Sequence, residues 1–413
     1  MRKDDEQPLP ATVKALGFVS LLTDLSSEMV YPINGRLLRL LGAPAWVLGL
    51  IEGLAESTAS ILKLYSGTLS DKMGRRKPLA LLGYGLAALS KPLIGAAGVW
   101  PQILFARLLD RTGKGLRGAP RDALIADVCP KEQRGRAFGL HRSLDTTGAV
   151  LGPLIGYFFL RANPSGLRSL YWIAFIPALL GVLLLWLVVK ETPHEKTPRL
   201  GGERQGGERL FSLAGLSPTY KRFLLSVGVF SLVNSSDQFL LLRAQEGAKL
   251  TPESILLLYA LFNMVEASLG YLVGKLSDSV GRWPLIVAGW GVFALVYAGF
   301  AQLPSGVGFG GVLGLFLLYG LYSTLTQGAQ KALAADMTDP TQRGRQLGIF
   351  HLVVGIGALP ASLIAGVLYD MVSPAAPFWL GAGGAVLAVL LLPKEKHIPK
   401  EKRKSDENKG NPL

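Results

Sequence analysis

Cysteine is almost missing from this chain: Cys129 is the only one in 413 residues. A single thiol excludes an internal disulfide framework and any cysteine-built metal cluster. Histidine is scarce as well, and two of the four, His194 and His397, stand in polar stretches, so no metal site is expected. Charge is thin: 17% of the residues are Asp, Glu, Lys or Arg against 49% hydrophobic, too many apolar side chains for a water-facing skin to cover. Signatures of enzymes are lacking too. There is no GxxxxGK[ST] phosphate loop and no HExxH pair, and Cys129 has no base beside it, so neither catalysis nor a resident cofactor is expected. The polar start, MRKDDEQPLPATVK, has no small-residue cleavage site after a short apolar core, which argues against a removable signal.

What the chain does have is apolar length. Mostly hydrophobic windows recur at 13–40, 45–70, 78–99, 101–127, 135–160, 169–190, 219–242, 253–277, 284–303, 308–335, 345–370 and 375–393. Each can cross a hydrocarbon core of about 30 Å as a helix, and they are too long and too uniformly apolar for barrel strands. The sequence therefore predicts an all-α integral membrane protein of twelve spans, with a lipid bilayer as its solvent. A formal charge of +14 could suggest nucleic acid, but its placement argues orientation. Lys and Arg gather in DKMGRRK, PKEQRGR, KETPHEKTPRLGGERQGGER, TQRGR and PKEKHIPKEKRK, while the alternate loops GAAGVWP, AQLPSGVGFGG and YDMVSPAAP hold almost none. The positive-inside rule then puts both termini in the cytoplasm of a cell whose plasma membrane, bacterial in type, carries the protein, and no nucleic-acid partner is expected. The basic tail reads as a topogenic, lipid-facing segment.

Residues 191–218 are polar, Gly-rich and mixed in charge, and they divide the spans equally. They predict a flexible linker between six-helix bundles at 13–190 and 219–393, with a polar segment at 1–12 and the tail at 394–413. Sliding the chain on itself tests the division. RGRAFG at 134 meets RGRQLG at 343, Asp127 meets Asp336, and Glu28 in SSE meets Asp237 in SSD, each at an offset of 209 (343 − 134, 336 − 127, 237 − 28). Common order at one offset marks two halves of one plan, as in secondary transporters.

The most specific motif lies between the second and third spans. GTLSDKMGRRKP, 67–78, places Gly67, Asp71, Lys72, Gly74, Arg75 and Arg76, and GKLSDSVGRWP, 274–284, repeats Gly274, Asp278, Gly281 and Arg282 with Ser279 in the basic place. On these residues the chain resembles the major facilitator superfamily, along almost its whole length. The resemblance implies two pseudo-symmetric bundles rocking around a central site lined by spans 1, 4, 7 and 10, and it makes the turn a gate element formed when the cytoplasmic side closes. Gly67 would then let a neighbouring helix approach, Asp71 accept from a facing helix end, and Arg75 pair with a carboxylate, for which Asp127 is the expected partner. A merely topogenic basic loop is the plainer alternative. RTGKGLRGA, 111–119, resembles a family pattern linked to proton coupling. GAVLGPLIG, with Gly148, Gly152, Pro153 and Gly156, resembles the fifth-span motif of drug:proton antiporters, for which tight helix packing is the plainer reading.

Ionisable residues inside spans are functional candidates by default. The fourth span carries Arg107, Asp110, Arg111, Lys114, Arg117, Arg121 and Asp122, a stripe that cannot face lipid. Asp24 and Glu28 lie one turn apart on the first span, and with Lys114 and Asp145 of the fifth they fall near mid-membrane. Asp24 or Glu28 pairing with Arg111 or Lys114 is the leading coupling unit; permanent structural ion pairs are the competing reading. Arg142 and Asp145 could satisfy each other at i,i+3, and Glu52, Glu56 and Lys63 form a stripe on the second span suited to gating or packing. The second half offers Asn234, Asp237, Gln238, Glu266, Gln327, Gln330, Lys331 and His351, with Tyr322, Thr326 and Gln327 suited to recognition. Together these predict a monomeric, proton-gradient-driven transporter of a small organic solute, exporting it. The alternatives are a uniporter or symporter importing an anionic or zwitterionic solute, which the basic excess on the fourth span would suit, and a non-transporting receptor or assembly factor on the same fold.

Overall fold

The computed structural model describes residues 8–130, 133–191, 216–304, 306–338 and 343–394, apart from the side chains of 64, 68, 278 and 343–345. The linker and tail expected at 191–218 and 394–413 lie almost wholly outside these residues, as does most of the segment 1–12. Among the described residues there are fourteen α-helices: α1 Ala11–Val30, α2 Asn34–Leu40, α3 Ala45–Met73, α4 Lys77–Ala96, α5 Trp100–Val128, α6 Arg134–Ala162, α7 Leu167–Val188, α8 Pro218–Val233, α9 Gln238–Gly247, α10 Pro252–Val280, α11 Arg282–Ala301, α12 Gly308–Asp336, α13 Arg343–Met371 and α14 Ala376–Leu391.

They make twelve spans, because two spans are broken. A 3-10 turn, Tyr31–Ile33, containing Pro32, separates α1 from α2, and the non-helical stretch 234–237 separates α8 from α9. Proline supplies no backbone N–H for the helical ladder, so the first break has a local cause. Eight spans are long and apolar enough to cross a membrane by length and composition alone. The other four fall short for physical reasons: the first, α5 and α6 carry the polar stripes, and α14 has only 16 residues. Large apolar side chains such as Trp186, Leu187, Leu295 and Leu390 are exposed on the outside, where lipid replaces a polar skin.

The two halves pack alike. In the first, α1 lies against α6 and α7, α5 against α3 and α4, and α4 against α7; in the second, α8 lies against α13 and α14, α12 against α10 and α11, and α11 against α14. Two further pairings, α3 with α13 and α6 with α10, join the halves. The fold is thus two six-span bundles related by pseudo-symmetry. Its loops alternate between a basic face, holding the turns after α3 and α10, and an opposite face holding residues 41–44, 97–99, 163–166, 302–304, 306–307 and 372–375.

The repeated turns end their helices on glycine. Gly74 has φ 64° and Gly281 φ 96°, conformations that L side chains rarely adopt. The reversal after Gly74 is fixed further by Glu191 at the end of the first half, which accepts from the backbone N–H groups of Arg76 and Lys77.

Candidate functional site

Between the halves lies a cavity of about 1460 Å³ that runs from mid-span toward the basic face. Its mouth is reached by Arg121, Gly139, Tyr271 and Lys331, and its deeper wall by Asp24, Glu28, Asp237 and Tyr319. α1, α3, α5 and α6 supply a charged wall, and α10 and α12 an aromatic one. Of the residues expected at a central site, Asp24, Glu28, Lys114, Arg117, Asp145, Asp237 and Gln327 all line this space.

The first-half carboxyls are brought together across helices. Asp24 on α1 and Asp145 on α6 line the same cavity, each close enough to act on the other's charge. Asp145 also accepts from Ser20 Oγ at 2.7 Å and from Arg142 Nη1 at 3.0 Å, so the expected i,i+3 pair is present within a larger group. The small residues of the fifth-span motif permit this approach: a Cβ on Gly148 would sit 2.4 Å from Leu21 O, one on Gly152 2.5 Å from Leu25 O, and one on Gly156 3.1 Å from Met29 O. Pro153 lies inside α6 amid these contacts. What this motif visibly does is hold α6 against α1. Gly357 repeats the contact in the second half, where its Cβ would sit 2.7 Å from Ser231 Cβ.

Glu28 lines the cavity with Tyr259 of α10 and feels the charges of Lys114 and Arg111, while its Oε2 has no hydrogen-bond partner among the described residues. Beside it a second pocket of about 30 Å³, lined by Asp24, Glu28, Arg111, Lys114 and Arg117, has room for about one water. Arg117 packs 4.5 Å above the Tyr84 ring. In the second half, Tyr319 donates to Asp237 Oδ1 at 2.5 Å, and Gln327 Nε2 donates to Ser323 Oγ at 2.6 Å.

Several expectations are corrected. Arg111 does not pair with Asp24 or Glu28; it reaches Glu56 at 3.0 Å, because its end of the stripe faces α3. Arg107 there makes a bidentate pair with Glu52 at 2.8 Å, and Asp110 joins Arg107 at 3.2 Å to Lys91 at 2.8 Å. The polar stripe of α3 is thus largely consumed by the stripe of α5, leaving Lys63 to the cavity. Lys91, only 3% exposed, was not singled out by the sequence; its position inside an apolar span beside Pro92 was the available signal. Gln238 is not a cavity residue. Fully buried, it donates to Tyr31 O at 2.6 Å and accepts from Gly35 N at 3.2 Å, tying the broken parts of the first and seventh spans together.

At the gate turn, Asp127 pairs with Arg76 at 2.5 Å and not with Arg75, which is exposed. The left-handed Gly74 turns Arg76, the half-buried residue before α4, toward the end of α5. The second half forms the same pair, Arg282 with Asp336. Asp71 is 69% exposed and has Arg76 at 3.7 Å, and Lys72 is exposed. A Cβ on Gly67 would meet Ala119 of its own half at 3.5 Å, and one on Gly274 would meet nothing within 4 Å, so the close approach expected at these glycines is not made in this conformation. The side chain of Asp278 lies outside those described.

The opposite face is closed. Arg39 reaches Glu246 at 2.8 Å and Asp370 at 3.8 Å, Tyr369 donates to Glu246 at 2.8 Å, and Trp46 N donates to Asp370 at 2.8 Å. Backbones nearly touch beneath these polar contacts: a Cβ on Gly49 would fall 2.1 Å from Ser362 O and one on Gly366 2.6 Å from Ala45 O. The sequence reading missed this cluster, although Arg39 stood out as a basic residue at the edge of a loop face almost free of them.

The comparisons agree with this geometry. A sequence model described as the Major Facilitator Superfamily matches residues 16–333 and 328–413. An uncharacterized MFS-type transporter of Methanocaldococcus jannaschii, MJ1317, is 35% identical over 394 residues, covering 94% of this chain and 96% of that one. The multidrug resistance protein MdtH of Salmonella arizonae is 25% identical over 358 residues, covering 85% and 84%. In fold, the chain is similar to the inward open conformation of the xylose transporter XylE from E. coli, with TM-score 0.68 at 20% identity, covering 95% of this chain and 96% of that one.

Proposed function

Because the chain belongs to the Major Facilitator Superfamily of membrane transporters, we propose that it exports a small organic solute in exchange for protons, by rocking its two halves around the central cavity. In this reading the basic face is cytoplasmic, in a bacterial-type plasma membrane, and the structure corresponds to the inward-open state. The observation that supports proton coupling is the convergence of Asp24 and Asp145, from two helices, on the cavity wall. In this reading the two carboxyls carry the exchanged proton, since neighbouring carboxyls are a common proton-carrying arrangement. Glu28, Arg117, Arg121 and Arg142 act on this pair electrostatically, and Ser20 donates to it. Rocking that brought a cation closer to the pair, or water into it, would release the proton on the other side. Export is supported by the similarity to multidrug resistance proteins and by the fifth-span motif.

The test begins with thermal stabilisation of the purified protein by a panel of drugs, siderophores, organic acids, amino acids and sugars, since a ligand of the native state raises Tm. Flux of the stabilising solute is then measured in proteoliposomes with an imposed proton gradient. Wild-type flux should vanish when a protonophore collapses the gradient. Asp24→Asn should lose gradient-driven flux while retaining solute exchange. Flux indifferent to the gradient would reduce the protein to a uniporter.

A further inference from the structure

The breaks in the first and seventh spans are satisfied unequally. At the first, the 3-10 turn closes on itself, with Asn34 N donating to Tyr31 O, and Gln238 Nε2 reaches the same carbonyl from the other half. At the second, the donors are engaged: Asn234 N donates to Phe230 O, Ser236 N to Ser362 Oγ and Gln238 N to Ser236 Oγ. The acceptors are not. Among the described residues, none of the carbonyl oxygens of Ser231, Leu232, Val233, Asn234 and Ser235 receives a hydrogen bond. Because α8 ends here, midway along the span, its last carbonyls bring the negative end of a helix dipole to the depth of the central cavity.

The side chains at this break are acceptors too. Asn234 Oδ1 is buried without a partner among the described residues. Asp237 stands at the N-cap of α9 but makes no side-chain cap bond there. Its Oδ1 accepts from Tyr319, and it forms no ion pair among the described residues. Ser231, Asn234 and Asp237, spaced by three, all line the cavity, so they share one side of the broken span. The cavity lining contributed by the second half includes no arginine and one lysine, Lys331, which is at the mouth. Lys114, across the cavity, lies beside Glu28.

Water satisfies free carbonyls, but a carboxylate inside a span is costly without a counter-charge. A hard cation meets both needs at once, because it takes oxygen ligands from carboxylate, amide and backbone carbonyl alike. Unwound backbone and half-helix C-terminal ends are the means by which broken spans hold sodium in other transporter folds. A single carboxylate at the break suits a single positive charge.

We propose that the break in the seventh span binds a monovalent hard cation of the sodium class, held by the Asp237 carboxylate, Asn234 Oδ1 and carbonyl oxygens of the break. This goes beyond the exchange of solute for protons and does not rest on it, since the cation ties α8 to α9 whichever solute moves.

The test is binding of radioactive sodium to the purified full-length protein, with choline replacing sodium at constant ionic strength, together with melting curves in the same solutions. Sodium should bind saturably and raise Tm above its value in choline. Asp237→Asn should weaken sodium at least about tenfold and abolish the rise in Tm, and Asn234→Ala, which keeps the charge, should weaken sodium about threefold or more. The melting curves in choline show whether each variant is folded. Glu266→Gln, which removes another carboxyl from the same half of the cavity, should stay within about threefold. No saturable sodium binding by the wild type overturns the proposal, as does binding unchanged in both Asp237→Asn and Asn234→Ala. Equal loss in Glu266→Gln would make the attraction a property of the whole cavity, and tighter binding of calcium than of sodium would make the charge wrong; either result also overturns it. Each of these outcomes leaves the transporter reading intact, because that reading is tested by solute flux and its dependence on the proton gradient.

Discussion

Arg39 Nε lies 2.8 Å from Glu246 Oε1, and this pair joins the two halves on the face opposite the cavity mouth. Arg39 follows the break in the first span, and Glu246 ends the helix that follows the break in the seventh. Both are partly exposed, so the pair contributes little to overall stability. Its position gives it leverage on an equilibrium between conformations, where a small differential energy shifts populations. The gate turns on the basic face are in the complementary condition: built within each half by Arg76 with Asp127 and Arg282 with Asp336, and with Asp71 exposed.

Asp71→Asn should therefore leave the thermal stability of this conformation unchanged, because the side chain is 69% exposed. Transport should fall, because closure of the basic face would lose a charged acceptor at a facing helix end. Melting curves and solute flux on the same preparations check both halves of the statement. Full flux in Asp71→Asn would make the turn only a topogenic loop.

The ladder of Glu52, Arg107, Asp110 and Lys91 is structural, and its loss should show as instability. Arg107→Met strands Glu52, which is 1% exposed, without its bidentate partner and should cost about 3–5 kcal/mol. Adding Glu52→Gln to Arg107→Met should recover much of the loss by removing the stranded charge. Denaturation in detergent reads both, and a fully stable Arg107→Met single variant would contradict this assignment.

Gly152→Val should be destabilised by about 1–3 kcal/mol or fail to assemble, since even a Cβ there would lie 2.5 Å from Leu25 O. Gly85→Val is the control, because a Cβ at Gly85 meets nothing within 4 Å. Comparable melting temperatures for the two would show that α6 does not need its glycines to pack on α1.

Much of this was legible in the sequence because membrane spans and repeats are written in composition and spacing. The offset of 209 that relates Asp127 to Asp336 reappears as two equivalent ion pairs, one in each half. The stripe on α5 was visible by its period, and so was the conclusion that it avoids lipid. How the stripe divides was not visible. Arg107 and Arg111 turn to Glu52 and Glu56, and Lys114 to the cavity, according to which helix lies alongside at each depth, and that is a tertiary property. Arg75 and Arg76 are neighbours of one type, and only the backbone reversal at Gly74 decides which meets Asp127. Gln238 sat beside Asp237 in the sequence, yet the break before α9 sends one toward Tyr31 and the other toward Tyr319. The closure around Arg39 was hidden because its partners, Glu246 and Asp370, are more than two hundred residues away.

The most direct test of alternating access uses two pairs of spin labels in a Cys129→Ala background, which removes the one native thiol. One pair, Lys72→Cys with Ser279→Cys, reports the basic face; the other, Ser165→Cys with Gln302→Cys, reports the opposite face, and all four positions are exposed. Distances are measured by electron–electron resonance in nanodiscs, with and without Arg39→Ala. If the halves rock, Arg39→Ala should lengthen the distance on the opposite face and shorten it on the basic face, the two changes appearing in the same fraction of molecules. Distances that stay fixed on both faces, or that lengthen on both together, would contradict a transporter that opens its cavity to one side at a time.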